Sequence, residues 1–397
     1  MPQNPYRPGV GLQPMYLAGR QPDFDTFANV LRGAPAIPGN ARVTGLRGVG
    51  KTVLLQKFQS EAEASDWATI AVEIEPKHCD DAAFAALIGS QVKDVESRMS
   101  LAVRIRETAG NLIGAVRRAA TVTTEGFEWS LGGDLDVASK SIAEELLSAT
   151  KAATDAHKNG LVVFLDESQI LVDERSSRGS HPLSSLIAAV STLQKQNVAI
   201  CLVMCGLPTL AVNLLTARTY SERMFRGFKI DALSDDEARK AFVRPLVDTG
   251  ITADSALIDR VIDDVNGYPY FIQLWGAELW DATVDAGLTA ISISVLDVVG
   301  RRIQSRLDLD FYEPRVESLT PAEQDLLFAS AKCAYPPLFV SDLNGASPKS
   351  NENINVLLGR LVKANVLYRP RKGEYRYTAP KFRDFLERRI LRDSSAL

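Results

Sequence analysis

The chain has 397 residues, of which 46% are hydrophobic and 24% charged, with a formal net charge of −4. These ordinary values exclude wholesale disorder, a collagen-like repeat and a coiled-coil rod. The length predicts about two to three domains with cores large enough to fold without disulfides or metals. The weak negative charge argues against a protein that binds polyanions through its bulk charge alone.

The cysteines and apolar runs indicate the compartment. Cys201 and Cys205 lie in an apolar run, which favours a role as small buried hydrophobes. The His78–Cys79 pair has no second pair at zinc spacing, so we predict no structural metal. No secretion signal is recognisable at the start, and the apolar runs are too short to span a bilayer. We therefore expect a reduced, cytoplasmic protein without membrane contact.

Pattern and punctuation predict the elements of the first part of the chain. They are a turn-rich lead-in over residues 1–40 with a helix at 24–32, a strand at 42–44, a helix around 53–58, a strand at 69–74, a helical stretch at 80–120 broken near Gly110, a hairpin inserted at 122–133 and a helix at 139–158.

Two uninterrupted apolar runs follow, at residues 161–165 and 198–204, and another strand is predicted at 225–230. Apolar runs bounded by glycine and polar residues are typical of strands buried on both faces. Since strands alternate with helices, we predict an α/β fold with a parallel, doubly wound sheet. From residue 234 to about 309 every segment is predicted to be helical.

Residues 45–52 read GLRGVGKT and match the phosphate-loop pattern G-x-x-x-x-G-K-[ST]. Glycines let the backbone turn tightly, so that successive N–H groups and the following helix N-terminus face phosphate oxygens. The ammonium of Lys51 is expected on the β- and γ-phosphates of ATP, and the hydroxyl of Thr52 on Mg²⁺. The alternative is a chance glycine-rich turn. The predicted nucleotide-binding residues of this loop are Gly45, Leu46, Arg47, Gly48, Val49, Gly50, Lys51 and Thr52.

Two acids follow the apolar run that ends at residue 165. Asp166 is expected to hold Mg²⁺, and Glu167 to orient and deprotonate the attacking water. The alternative is an acidic pair that caps the next helix. A catalytic carboxylate beside the metal ligand favours hydrolysis over phosphotransfer to a small molecule.

With these motifs, the chain over about residues 15–312 resembles the AAA+/STAND group of P-loop ATPases, near its initiator-type, origin-recognition-like branch. The motif LAGR at residues 17–20 is similar to the Gly-Arg box of these families, which implies a role for Arg20 beside the nucleotide. The motif GYPYFIQ resembles a lid motif, with Gly267 and Pro269 matching; a plain helix N-terminus is the alternative.

The resemblance also implies a homo-oligomer in which an arginine around the fifth strand reaches a neighbouring subunit's γ-phosphate. Arg223 is the first candidate, followed by Arg226 and Arg218. The alternative is a surface arginine paired with Glu222 or Asp231.

Two features differ from the family's usual pattern. The lid motif contains no arginine to touch the phosphates, and the fourth strand ends in Cys205-Gly206 rather than in a polar residue. Both differences favour a slow ATP switch over a fast motor.

The C-terminal unit is predicted to contain helices after Thr320-Pro321 and at 351–365, a hairpin around Lys372-Gly373 and a closing helix at 380–391, which resembles a winged helix. Residues 360–392 contain 11 Lys/Arg against 3 Asp/Glu, a net charge of +8. Phosphate contacts with DNA are expected from the hairpin. The predicted DNA-binding residues are Arg369, Arg371, Lys372 and Arg376. A solvated basic face and a protein-docking surface are the alternatives.

The predicted domains are a lead-in with the Gly-Arg box (1–40), a P-loop ATPase core (41–232), a helical lid (233–312) and a winged helix (313–397). Three functions remain open: a slow Mg²⁺-dependent ATPase switch, an ATP-stabilised DNA-binding module with negligible turnover, and a STAND-type signalling or defence adaptor that binds protein.

Overall fold

The computed structural model describes residues 3–9, 11–113, 136–174, 176 and 179–394. Five strands form one parallel sheet in the order β2-β3-β4-β1-β5. They are β1 (Asn40–Gly45), β2 (Ala68–Glu73), β3 (Leu161–Asp166), β4 (Ile200–Gly206) and β5 (Phe225–Ile230). The predicted α/β fold with a parallel sheet is confirmed.

The central strands β3 and β4 are buried on both faces, which explains their uninterrupted apolar sequences. Because successive side chains alternate in direction, Val162 and Phe164 join one hydrophobic cluster while Val163 and Leu165 join another. The apolar runs therefore serve two layers of helices at once.

In the described part of the chain, seven α-helices accompany this sheet. They are α1 (Gln21–Gly33), α2 (Lys51–Ala64), α3 (Asp81–Ile113), α4 (Val137–Asp155), α5 (Pro182–Lys195), α6 (Thr209–Ala217) and α7 (Ser221–Met224). Buried residues of α1 and α2 pack on one face of the sheet, and those of α3 to α6 pack on the other.

One boundary differs from the prediction. Helix α3 continues through Gly110 to Ile113 instead of breaking there. A glycine inside a helix costs only about 1 kcal/mol relative to alanine, which the packing of α3 along α4 can outweigh. The hairpin predicted at 122–133 lies outside the described residues.

The segment after the sheet consists mainly of helices α8 (Asp235–Val243), α9 (Ser255–Val265), α10 (Pro269–Asp285) and α11 (Ile293–Leu307). The prediction that every part of this segment is helical is wrong. Two short strands, β6 (Thr252–Ala253) and β7 (Ala290–Ile291), pair in a parallel ladder within it. Each is only two residues long, too short for a sequence pattern to reveal.

The remaining elements begin with a π-helical turn, Asp308–Tyr312. They continue with α12 (Glu313–Glu317), α13 (Pro321–Ser330), β8 (Leu338–Phe339), α14 (Val340–Ala346), α15 (Asn351–Lys363), β9 (Leu367–Arg371), β10 (Glu374–Tyr377) and α16 (Phe382–Ser394). Strands β9 and β10 form the predicted antiparallel hairpin, and β8 pairs with the other edge of β10.

The helical segment and the C-terminal elements share one hydrophobic cluster. It extends from Ala238 through Ile303 and Tyr312 to Leu386, and it also includes Tyr6 from the lead-in. The hydroxyl of Tyr312 donates a hydrogen bond to the carbonyl of Pro380 at 2.9 Å. These two parts of the chain therefore pack as one body, while the sheet keeps hydrophobic clusters of its own.

Within the described ranges, no helix has the length and apolar character needed to cross a membrane.

Candidate nucleotide-binding site

The phosphate loop, residues 45–50, connects β1 to α2 at the carboxyl edge of the sheet. Gly48 and Gly50 have φ angles of 80° and 90°, a left-handed conformation that glycine adopts without strain. A Cβ on Gly45 would lie 2.2 Å from the carbonyl oxygen of Ile230, so the close approach of β5 also requires glycine. The motif thus has the backbone geometry that the sequence predicted.

Lys51 begins helix α2 and is 8% exposed. Its ammonium donates a hydrogen bond to the carbonyl oxygen of Leu46 at 3.0 Å, across the phosphate loop. Burial lowers the pKa of Lys51, while Cys205, Glu167 and Asp166 raise it in part. The hydrogen bond to Leu46 therefore holds the ammonium at the phosphate loop, where the charge can bind an anion in the cavity.

Thr52 and Asp166 come together although they are 114 positions apart in the chain. The hydroxyl of Thr52 donates to Oδ2 of Asp166 at 2.7 Å, and the backbone N–H of Glu167 donates to Oδ1 at 2.8 Å. A hydroxyl and a carboxylate side by side are the oxygen ligands that Mg²⁺ prefers. The donor set therefore fits this metal.

A cavity of about 370 Å³ adjoins the phosphate loop and is lined by residues 47–53, Glu167 and segments from the lead-in, the helical segment and α12. Five cationic side chains line it: Arg7, Arg20, Arg47, Lys51 and Arg315. Among the described residues, two acidic side chains line it, Glu167 and Asp310. This excess of positive charge suits a polyanion such as a triphosphate.

Arg315 is a cavity residue that sequence reasoning missed. It lies in α12, 48 positions after Gly267, where no local motif marks it. Its guanidinium stacks on the ring of Phe311, 4.2 Å from the centroid, and pairs with no carboxylate of the described part of the chain. Burial, together with the nearby Arg47, lowers the pKa of Arg315 to about 10. An arginine outside the lid motif thus lines the same cavity.

Aromatic and aliphatic side chains line another part of the cavity, and sequence reasoning missed most of these as well. Tyr270 and Phe311 stack with ring centroids 5.6 Å apart. Other lining residues are Leu12, Pro14, Tyr16, Leu17, Ala18, Leu233, Ala241 and Pro269. Such a recess suits a planar base.

Arg20 lines the cavity, as its predicted role requires. Its guanidinium donates to the carbonyl of Asp231 at 3.0 Å, which ties the lead-in to the end of β5. Pro269 also lines the cavity and begins helix α10, as predicted. Gly267 is not among the lining residues of the described chain; it packs against Leu233, whose carbonyl oxygen would lie 2.1 Å from an added Cβ.

Two backbone hydrogen bonds join other segments to the phosphate loop. The N–H of Tyr270 donates to the carbonyl of Gly48, and the N–H of Arg47 donates to the carbonyl of Thr378, each at 3.2 Å. Because the backbone N–H of Arg47 donates to Thr378, the donors that Arg47 can offer to a ligand in the cavity are those of its side chain. The loop touches both the helical segment and the C-terminal hairpin region.

Arg223 lies in α7, is exposed and is not among the cavity residues. No carboxylate of the described chain pairs with it, neither Glu222 nor Asp231; Asp231 pairs with Lys229 at 2.7 Å. Arg226 is exposed as well, and Arg218 is partly buried. The geometry leaves Arg223 available to another molecule.

The basic residues of the C-terminal unit fall into two groups. Arg369, Arg371, Lys372 and Arg376 are exposed on the β9–β10 hairpin. By contrast, five basic residues of α16 and its N-terminal approach contact the protein itself: Lys381, Arg383, Arg388, Arg389 and Arg392. Arg388, for example, pairs with Asp308 at 2.7 Å. The charge count of +8 therefore overstates what an outside partner can meet.

Comparison with known proteins agrees with this geometry. Residues 16–203 match the AAA ATPase domain family, and residues 309–386 match a domain of unknown function, DUF8462. No curated protein matches the chain.

Solved structures with the same fold cover nearly the whole chain. The Walker-type ATPase PABY2304 of Pyrococcus abyssi is 16% identical, with a TM-score of 0.54 over 96% of this chain and 98% of that one. The ORC2 protein of Aeropyrum pernix in ADPNP–ADP complexes is 13% identical, with a TM-score of 0.54 over 98% of each chain. Its ADP form is 14% identical, with a TM-score of 0.51 over 97% of each chain. Residues 16–203 therefore match the AAA ATPase domain family, and the chain has the fold of the Walker-type ATPase PABY2304 and of the ORC2 protein.

Proposed function

We propose that the chain is a slow Mg²⁺-dependent ATPase switch that couples its nucleotide state to a C-terminal winged-helix domain. The observation that carries this proposal is the convergence of Lys51, Thr52 and Glu167 at one cavity that also touches the C-terminal unit, with Asp166 hydrogen-bonded to Thr52. The domains would be the lead-in (1–40), ATPase core (41–232), lid (233–312) and winged helix (313–397).

In this proposal the cationic side chains bind the triphosphate, and the stacked pair Tyr270 and Phe311 borders the base. Thr52 and Asp166 would hold Mg²⁺, which supplies positive charge next to the phosphates. Glu167 accepts the proton of the attacking water, since it lines the cavity beside the phosphate loop.

Two contacts support coupling to the C-terminal unit. The hydrogen bond from Arg47 to Thr378 joins the phosphate loop to the residue after β10. Arg315 brings a second C-terminal group to the same cavity. A change in phosphate occupancy would therefore act directly on the position of the hairpin.

The exposed hairpin arginines and Lys372 support DNA phosphates as the external ligand. Helix α15 lies at the position of a recognition helix. Its four buried residues are all apolar, and its two basic residues lie in its last turn. We therefore propose backbone contacts with DNA rather than reading of base sequence. We also propose a cytoplasmic homo-oligomer in which Arg223 faces the γ-phosphate of a neighbour.

The ATPase proposal is tested with Glu167→Gln. We expect this protein to keep ATP binding. Its rate of phosphate release should fall by at least about 10²-fold, because the general base is lost. Single-turnover assays measure both quantities. Lys51→Ala should lose ATP binding, whereas Lys57→Ala, on the same helix but outside the cavity lining, should keep it. If wild type and Glu167→Gln both retain ATP and neither releases phosphate, the ATP-stabilised binding module is the correct alternative.

The role of Arg315 is tested with Arg315→Met, which keeps apolar contact with Phe311 but removes the charge. We expect ATP affinity to fall about 10- to 100-fold, the effect of one charge-assisted contact. Since burial disfavours the charged form, the variant without ATP should unfold at a higher temperature than wild type, while ATP should stabilise it less. Calorimetry and thermal unfolding measure these effects, with the exposed Arg301→Met as control. Unchanged affinity would contradict the assignment.

The trans role of Arg223 is tested by mixing two inactive proteins, Arg223→Ala and Glu167→Gln. At a shared interface, one subunit supplies Glu167 and its neighbour supplies Arg223, so that ATPase activity should reappear on mixing. The mixture of Arg226→Ala with Glu167→Gln controls for the position of the arginine. If mixing yields no more activity than the separate proteins, Arg223 does not act across an interface.

DNA binding is tested with the triple variant Arg371→Ala, Lys372→Ala and Arg376→Ala. We expect weaker binding to duplexes of any sequence, and a slope of log affinity against log salt that is smaller by about 2 to 3. A control of equal charge change carries Lys93→Ala, Lys140→Ala and Lys151→Ala on α3 and α4. Equal affinity of the hairpin variant and wild type would favour a protein ligand for this unit.

A further inference from the structure

Glu167 is held through one of its two carboxylate oxygens. The side-chain amide of Gln169 donates to Oε2 of Glu167 at 2.5 Å. Oε1 accepts no hydrogen bond from the described part of the chain, and Glu167 lines the cavity. Its backbone has a φ of 49°, a left-handed conformation that is uncommon outside glycine. The carboxylate thus has one anchored and one free oxygen.

Gln169 is itself firmly placed. It is 6% exposed, and its Oε1 accepts a hydrogen bond from the backbone N–H of Leu207 at 2.9 Å, just beyond the end of β4. Since a backbone N–H can only donate, the amide oxygen must face Leu207, which leaves the NH₂ group for Glu167. The orientation of this amide is therefore determined by its surroundings.

A second contact anchors the loop of Gln169. The side chain of Asn213, in α6, donates to the backbone carbonyl of Gln169 at 2.9 Å. An added Cβ on Gly206 would lie 2.3 Å from Oε1 of Gln169, so the amide fits tightly against the end of β4. The amide that holds Glu167 is thus fixed at the end of β4, whereas α6 contacts only the backbone of the loop.

We propose that Gln169 is a positioning residue for Glu167, which holds Oε2 so that Oε1 is left to accept the proton of the attacking water. This inference rests on the proposed ATPase function. Glutamate has several rotatable bonds, and an anchored oxygen removes unproductive rotamers before the substrate water arrives. The end of β4 then acts on the chemistry through Gln169, although Cys205-Gly206 offers no polar side chain comparable to those of the family.

The test compares two Gln169 variants with a structural control. Gln169→Met removes both hydrogen bonds of the amide, whereas the ionised carboxylate of Gln169→Glu keeps an acceptor for Leu207 and has no proton to donate to Glu167. For both we expect kcat to fall about 10- to 100-fold, with the KM for ATP within about twofold of wild type. Asn213→Ala removes only a bond to the backbone carbonyl of Gln169 and leaves both bonds of the Gln169 amide in place, so kcat should stay within about twofold of wild type.

A double variant separates positioning from general damage. In the Glu167→Gln background, Gln169→Met should have no further effect on kcat, since the group that it positions is already lost. Additive effects, an equal fall with Asn213→Ala, or unchanged kcat in both Gln169 variants would overturn the inference. Thermal unfolding of each variant establishes that the assayed protein is folded.

The same assays distinguish the inference from the proposed function. If wild type is active and Glu167→Gln is inactive while the Gln169 variants keep their kcat, only the positioning role is wrong. If wild type releases no phosphate, the ATPase proposal and the positioning role are both wrong.

Discussion

Positive charge that the protein neutralises only in part surrounds the phosphate loop, and the other parts of the molecule meet there. Arg7 and Arg20 come from the lead-in, Arg47 and Lys51 from the loop, and Arg315 from α12. Burial lowers the pKa values of Arg20, Lys51 and Arg315, and Arg47 lowers the last two further. An anion in this cavity would bring these cations into favourable contact, so its binding would stabilise the contacts between the segments that carry them.

The phosphate loop also contacts both the helical segment and the C-terminal unit. Tyr270 binds Gly48 from the helical segment, and Thr378 binds Arg47 from the C-terminal unit. Since those two parts share one hydrophobic cluster, a shift of either at the loop would be carried by both. This arrangement suits a switch, in which occupancy of the cavity selects between packings, better than a set of independent domains.

Charge is distributed unevenly along the chain. Residues 313–397 contain 14 Lys/Arg and 10 Asp/Glu, a net charge of +4, within a chain of −4. Part of this basic charge is structural, because Arg389 and Arg392 both pair with the largely buried Glu313 and so hold α16 against α12. What remains on the β9–β10 hairpin is a small exposed set, which limits the contact with a polyanion to a few phosphates.

The sequence alone predicted the parallel sheet, the conformation of the phosphate loop and the assignment of Thr52 and Asp166 to one metal site, because these depend on local turns, apolar runs and strand ends. It did not reveal Arg315, the Tyr270–Phe311 stack or the chain of contacts from Leu207 through Gln169 to Glu167. Nor did it show that α3 continues through Gly110 or that β6 pairs with β7. Each of these depends on groups that are distant in sequence and that packing brings together. The local pattern of apolar and polar residues does not predict such contacts. The sequence therefore determined which chemistry stands at the sheet edge, and only the tertiary structure decided which distant side chains complete and orient it.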